Sequence, residues 1–376
     1  MSSTLSHLEC SKCSARRSAD VAQHLCDCGG PLLARYDLGR ARMLLTASVL
    51  AQRPSDLWRF RELMPLRDPQ HAISLGERTT PIIGLPDGSL LKDEGLLPTG
   101  SFKARGAAVG VARAHELDVR DVALPTNGNA GVAWAAYAAR FGMRAHLAIP
   151  KAAPPPYARM CEDFNAHVEL VDGTIADAGR VVAGWIAEHG YYDASTLKEP
   201  YRIEGKKTLG FEIAEQFEWH LPDVIVYPTG GGVGLIGMHK AFQELQALGF
   251  LPRRMPRFVA VQSAGCAPLA RAWQAKATES TFWPDAHTYA YGINVPKAIG
   301  DFIVLKILAE TDGTAIAIAD ADIEAARRRI ASHGVLTCPE GAATVAAVDS
   351  LRASGWIRER ERVLVVNTGS PLASYV

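Results

Sequence analysis

The chain has no excess of charge of either sign: 40 Lys and Arg stand against 40 Asp and Glu. No global basic field exists to hold nucleic acid or a membrane surface. A run of ~18 apolar residues is also missing, so no membrane-spanning helix is expected. Residues 1–8 are polar and lack an apolar signal core, which points to a cytoplasmic, reducing setting. There is no internal repeat and no long low-complexity segment. Cysteine is sparse, seven in all, and unevenly placed. Cys10, Cys13, Cys26 and Cys28 crowd the start, while Cys161, Cys266 and Cys338 are scattered. In a reducing compartment that clustering suggests a metal site more than disulfides.

What is present is apolar bulk. At 48% hydrophobic the chain can build a large core, and disorder is not expected as its main state. Its 376 residues exceed one ordinary core and suit two α/β lobes. Residues 1–38 are Cys-rich, with a Gly29-Gly30-Pro31 turn. Residues 39–72 carry Trp58, Arg59, Phe60 and Arg61 and suggest a lead-in helix and loop. From residue 73 onward short apolar runs alternate with helical patterns, as in βα units around a mostly parallel sheet. Strands are expected at 122–124, 145–149, 168–171, 224–227, 258–262 and 363–367. Helices are expected over 129–141, 175–189 and 341–351, the first and last rich in alanine.

Ligands on open α/β sheets bind at the carboxyl ends of strands, so three loops that follow strand-like runs come first. Gly230-Gly231-Gly232-Val233-Gly234 lies between a strand and a helix and can form a backbone cradle for an anion. No Gly-Lys-Ser/Thr follows, which argues against a nucleotide P-loop, and a plain flexible turn stays open as the other reading. Pro98-Thr99-Gly100-Ser101-Phe102-Lys103-Ala104-Arg105-Gly106 places a lysine at an apparent helix start beside hydroxyl groups. A buried lysine of this kind has a lowered pKa and forms imines; a solvated surface lysine is the alternative. Thr126-Asn127-Gly128-Asn129 offers a hydroxyl, two amides and free helix N–H groups, which suits a carboxylate or oxyanion, or serves simply as an N-cap.

In this order the three loops resemble the pyridoxal-phosphate (PLP) dependent fold-type II family, most closely its threonine synthase branch and next the threonine and serine dehydratases. The resemblance runs from about residue 79 to 370, carried by Lys92-Asp93-Glu94-Gly95 leading into the lysine loop, by Thr126-Asn127-Gly128-Asn129-Ala130-Gly131 and by the glycine run. Glu204-Gly205-Lys206-Lys207-Thr208 before Phe211-Glu212-Ile213 is similar to threonine synthase, as is Leu8-x-Cys10-x-x-Cys13 with Cys26-x-Cys28-Gly29-Gly30. The resemblance implies an α/β, two-lobed, tryptophan synthase β-like fold, with mostly parallel sheets flanked by helices and a small Cys-rich N-terminal extension. It implies domains of 1–38 (extension), 39–100 with 190–376 (large, PLP-binding) and 101–189 (small), and a homodimer.

By the same resemblance Lys103 carries PLP as a Schiff base and is the catalytic proton carrier. Asn129 binds the cofactor's phenolic oxygen, Gly230, Gly231, Gly232, Val233 and Gly234 its phosphate, and Thr368 faces the pyridine nitrogen. Ser101, Thr126, Asn127 and Gly128 are substrate-binding, and Arg105 is the first candidate clamp for a substrate γ-phosphate, with Lys206 and Lys207 as seconds. An ion pair is the alternative for Arg105. Cys10, Cys13, Cys26 and Cys28 are candidate Zn2+ ligands, although the second pair is one residue shorter than a CxxC knuckle. The expected reaction converts O-phosphohomoserine to threonine and phosphate. Two departures favour a serine/threonine dehydratase or a β-replacement enzyme instead: Ala104 replaces the Asp usual after the lysine, and Ser370-Pro371-Leu372 replaces a His-Gly-Leu-Lys type segment. A non-catalytic PLP-fold regulator is opposed by the intact lysine and glycine loops, and nucleic-acid binding through the Cys ribbon by the neutral charge.

Overall fold

Val224–Pro228 and Val363–Asn367 are buried at every position and apolar up to the terminal Asn367, as strands covered on both faces of a parallel sheet must be. They form the centre of a six-stranded sheet in the computed structural model, which describes residues 3–374. The spatial order is Thr314–Ile318, Arg257–Ser263, Val224–Pro228, Val363–Asn367, Leu90–Asp93 and Ile82–Gly84. Every pairing is parallel except the last, which is antiparallel. A second, all-parallel sheet has the order His167–Val171, Arg144–Pro150, Asp121–Pro125 and Tyr192–Asp193. The fold is thus α/β with mostly parallel sheets flanked by helices.

Helix ends follow local chemistry. Ile175–His189 starts at a capping box between Thr174 and Asp177 and stops at Gly190, whose φ of 70° is the left-handed conformation a C-terminal glycine accepts. Lys103–Glu116 and Arg202–Gln216 are buried along most of their length and lie against one another. Their approach depends on Gly205, where a Cβ would stand 2.0 Å from the Arg105 carbonyl oxygen.

The Cys-rich start is a three-stranded antiparallel ribbon, with Leu5–Cys10 between Arg16–Arg17 and Leu32–Tyr36. It docks on the main body through buried polar contacts. Tyr36 Oη donates to Glu204 Oε2 at 2.8 Å, and Glu204 pairs with Lys207 at 2.7 Å and Lys240 at 3.2 Å. Among the described residues no helix is long and apolar enough to cross a membrane.

Candidate active site

The strand ends Asp93, Pro125, Pro228 and Asn367 deliver four loops to one region, as the sheet topology requires of parallel strands. There a cavity of about 620 Å3 opens, lined by Lys103, the 125–130 loop, Tyr157, Arg202, the 291–299 segment, Cys338, Glu340 and Ser370. A narrower recess adjoins it. Lys103, Asn129, Gly230, Gly231, Gly232, Val233, Gly234 and Thr368 all line this recess. Residues spread over 266 positions of sequence therefore meet in one place (103 to 368).

The glycine run is constrained from several sides. A Cβ on Gly234 would stand 1.9 Å from Tyr227 Oη, and one on Gly230 would stand 2.9 Å from the Gly292 carbonyl oxygen. Gly232, at φ 77°, precedes the helix Val233–Leu248, and no side chain caps its first N–H groups. Uncapped N–H groups at the start of a 16-residue helix, beside a run without Cβ atoms, form an anion cradle. Tyr227 Oη, also in the recess, is buried with no hydrogen-bond partner among the described residues.

Lys103 opens the helix Lys103–Glu116 and is half-buried at the cavity wall, its Nζ 4.2 Å from the centre of the Phe102 ring. Burial pushes its amine down from the usual 10.5 to about 8; the Arg202 guanidinium adds to the shift, while Glu340 and Cys338 oppose it. A substantial neutral fraction near neutrality makes it an available nucleophile and base. Thr368 is tied at its carbonyl to Phe102 N (3.0 Å), and its hydroxyl lies 3.9 Å from Cys338 Sγ. Glu340 Oε1 accepts from Gly292 N at 2.6 Å and so fixes the far rim of the recess.

The 126–129 loop lines the cavity, but part of its polar capacity is used locally. Thr126 Oγ1 accepts from Gly128 N (3.0 Å) and Gly131 N (2.9 Å), as a cap would. Asn127 Nδ2 reaches the carbonyls of Tyr291 and Asn294 at 3.4 and 3.3 Å. Gly128, at φ 135°, faces the Tyr157 ring so closely that a Cβ would stand 2.2 Å from Cδ2.

Three expectations are corrected. Arg105 does not reach the cavity. It is 1% exposed and held by Glu94 (Nε–Oε2 2.5 Å, Nη2–Oε1 2.8 Å) and Glu212 (Nη1–Oε1 2.6 Å, Nη2–Oε2 2.8 Å), with Thr208 Oγ1 at 2.9 Å. All the capacity of its guanidinium fork is spent on that buried cluster, so no phosphate can be clamped there. Lys206 and Lys207 are fully buried and line neither the cavity nor the recess. Lys206 Nζ donates to the Phe102 carbonyl, and Lys207 pairs with Glu204 and Glu244, both at 2.7 Å. Ser101 is also absent from the cavity lining, its hydroxyl buried without a partner among the described residues.

Sequence reasoning missed Arg202. This side chain is 4% exposed, lines the cavity and donates from Nη1 to the Ala194 carbonyl at 2.8 Å. Among the described residues no carboxylate forms an ion pair with it. The other cavity lysines are neutralised, Lys198 by Asp193 at 3.0 Å and Lys297 by Asp301 at 2.5 Å. The signal was a basic residue at a helix start two positions before Glu204, just outside the motif that drew attention.

Away from this cavity, Cys10, Cys13, Cys26 and Cys28 bring their sulfurs within 4.8 Å of one another. Cys10–Cys28, Cys28–Cys13 and Cys13–Cys26 are 3.4, 3.5 and 3.7 Å apart. Tetrahedral zinc with Zn–S bonds of ~2.3 Å needs sulfurs ~3.8 Å apart, so the donor set fits. The short Cys26-Asp27-Cys28 pair closes because Gly29, at φ 76°, turns the chain back, its N–H 2.7 Å from the Cys26 carbonyl.

Comparison with known proteins agrees with this architecture. Residues 73–369 match the family model described as pyridoxal-phosphate dependent enzyme. The threonine synthase of Methanocaldococcus jannaschii is 30% identical over 375 residues, covering 96% of this chain and 92% of that one. The threonine synthase of Methanosarcina acetivorans is 32% identical over 377 residues, covering 96% and 91%. Among solved structures, maize serine racemase superposes with a TM-score of 0.67 at 22% identity, covering 78% of this chain and 88% of that one.

Proposed function

Since the chain belongs to the pyridoxal-phosphate dependent enzymes, we propose that it is a lyase of the threonine synthase type, converting O-phospho-L-homoserine and water to threonine and phosphate. The observation that carries this reading is Arg202: a buried cavity guanidinium without a carboxylate partner, separate from the glycine cradle. A substrate with its own phosphate needs such a second anion site, and Arg binds phosphate in a planar fork.

The recess supports the cofactor's placement. The cradle of Gly230, Gly231, Gly232, Val233 and Gly234 would hold the phosphate, Lys103 the aldehyde carbon, Asn129 the phenolic oxygen and Thr368 the pyridine nitrogen. When bound, the cofactor supplies an electron sink for the carbon next to the substrate amine. The protein's own groups do the rest. Lys103 would take the Cα proton at Nζ and return protons later. The backbone N–H groups of the 126–129 loop that its local hydrogen bonds leave free orient the substrate carboxylate, and Arg202 holds the departing phosphate. For the four cysteines we read Zn2+ as the fitting ion, in a reducing, cytoplasmic setting that keeps the thiols free.

A dehydratase is the second reading, favoured by Ala104 and by Ser370, which lines the cavity where the synthase pattern continues differently. Purified holoenzyme is given O-phospho-L-homoserine, L-threonine and L-serine separately. Phosphate and threonine from the first are expected. Keto acid from threonine or serine, with no phosphate release, moves the assignment to the dehydratase.

A further inference from the structure

The loop of residues 14–25, closed by Cys13 and Cys26, has almost no core of its own. Ala19 is its one buried residue. Its regular structure is limited to Arg16–Arg17 and an isolated bridge between Leu25 and Pro31. Such a segment stays in place only if its ends are held and its few contacts are specific. Beyond the ribbon itself, those contacts reach Arg67, Arg113 and the stretch 192–202, which supplies Ser195, Thr196, Lys198 and Arg202 to the cavity.

Two routes lead from the loop to Arg202. In the first, the Ala19 carbonyl accepts from Tyr201 Oη at 2.8 Å and from Arg113 Nη2 at 2.6 Å. Asp20 steadies this junction by pairing with Arg67 at 2.9 Å and Arg113 at 3.2 Å. Tyr201 is fully buried and is the residue directly before Arg202. In the second, the His24 ring lies 4.7 Å from the Tyr192 ring. Tyr192 Oη reaches Glu199 at 3.3 Å, and the Glu199 carboxylate accepts from Tyr201 N (2.9 Å) and Arg202 N (2.6 Å). The 194–201 stretch has no regular secondary structure, so these tertiary contacts set where the guanidinium stands.

We infer that the four-cysteine cluster is the outer brace of the cavity's anion-binding wall, and that metal held by Cys10, Cys13, Cys26 and Cys28 sets substrate-phosphate affinity through Ala19 and Tyr201. This rests on the reading of Arg202 as the phosphate site. Tyr201 is then a positioning residue. It lines neither the cavity nor the recess, yet it anchors the residue beside it.

The test uses full-length holoenzyme, with inorganic phosphate as the probe measured by calorimetry, alongside zinc stoichiometry by elemental analysis and steady-state kinetics on O-phospho-L-homoserine. Wild-type protein is expected to hold one zinc per chain. Tyr201→Phe removes only the hydroxyl that meets the Ala19 carbonyl. It should weaken phosphate binding and raise KM by about two- to tenfold, the loss of one hydrogen bond, with kcat and visible cofactor absorbance retained. Cys13→Ser with Cys28→Ser should lose the zinc and raise the phosphate Kd at least as far. Should that double variant fail to fold, Tyr201→Phe alone decides the coupling. Wild-type protein without thiolate-bound metal overturns the metal's part in the brace. If Arg202→Gln leaves phosphate affinity unchanged, the phosphate-site reading itself fails. If Arg202→Gln weakens phosphate binding and Tyr201→Phe does not, the brace is refuted while the reading stands.

Discussion

Apoenzyme offered pyridoxal phosphate over a range of pH should capture it at a rate that follows the neutral fraction of Lys103. The amine is held at about 8 by burial and by Arg202, against an ordinary value of 10.5. The sign follows from the chemistry: only the neutral amine attacks an aldehyde, so capture slows as pH falls through the amine's pKa. At pH 7 a lysine titrating near 8 is about 9% neutral, whereas one at 10.5 is about 0.03% neutral, an advantage of roughly 300-fold. Stopped-flow absorbance of cofactor uptake between about pH 6 and about pH 10 measures the curve. A tenfold rise per unit is expected below pH ~8, with a plateau above it. Arg202→Gln removes the nearby cation that helps depress the amine, so its break should move to higher pH. A rate that keeps climbing through pH 10 in the wild-type protein would refute the claim that Lys103 is desolvated, and with it the account of why this lysine reacts.

Arg105→Ala should act on stability and not on substrate affinity. Removing it leaves the buried Glu94 and the largely buried Glu212 without their shared cation, a loss of about 3–5 kcal/mol in denaturant unfolding. A folded variant of near-normal stability with a raised KM would show that Arg105 serves the substrate after all. Gly231→Val places two methyls where the recess must admit an anion, and a Cβ there already stands 3.0 Å from Thr196 Cγ2. Cofactor affinity measured by equilibrium dialysis should fall sharply while the circular dichroism of the apo fold is kept; unchanged affinity would place the phosphate elsewhere.

Much of this molecule was legible before its structure. The strand at 363–367 and the helix at 175–189 have the expected bounds, because one is an apolar run ended by Asn367 and the other carries its own cap and stop. The four-thiol cluster was visible as spacing alone. Less legible was how the 126–129 loop divides its polar groups, since the Thr126 hydroxyl and the Asn127 amide find backbone partners that only the folded chain brings near. Nor could the sequence reveal that the loop between Cys13 and Cys26 lies against Tyr201, because that contact spans 182 positions.

The misplaced arginine is more instructive, since elementary helix geometry was enough to reject it. Lys103 and Arg105 are two residues apart on one helix, so their side chains point about 200° from each other. If Lys103 faces the cavity, Arg105 must face away from it, into the contact with Arg202–Gln216 where Thr208 and Glu212 wait. The cation that can face Lys103 has to come from a different element. Arg202 meets that condition, entering from the start of the helix that packs on Lys103–Glu116. The same step explains why the two arginines differ chemically although both are buried. Arg105 lies between carboxylates from two elements and is held firmly cationic. Arg202 has only the more distant Glu199 to oppose its burial and is drawn down to about 10, an under-compensated charge that an incoming anion would complete.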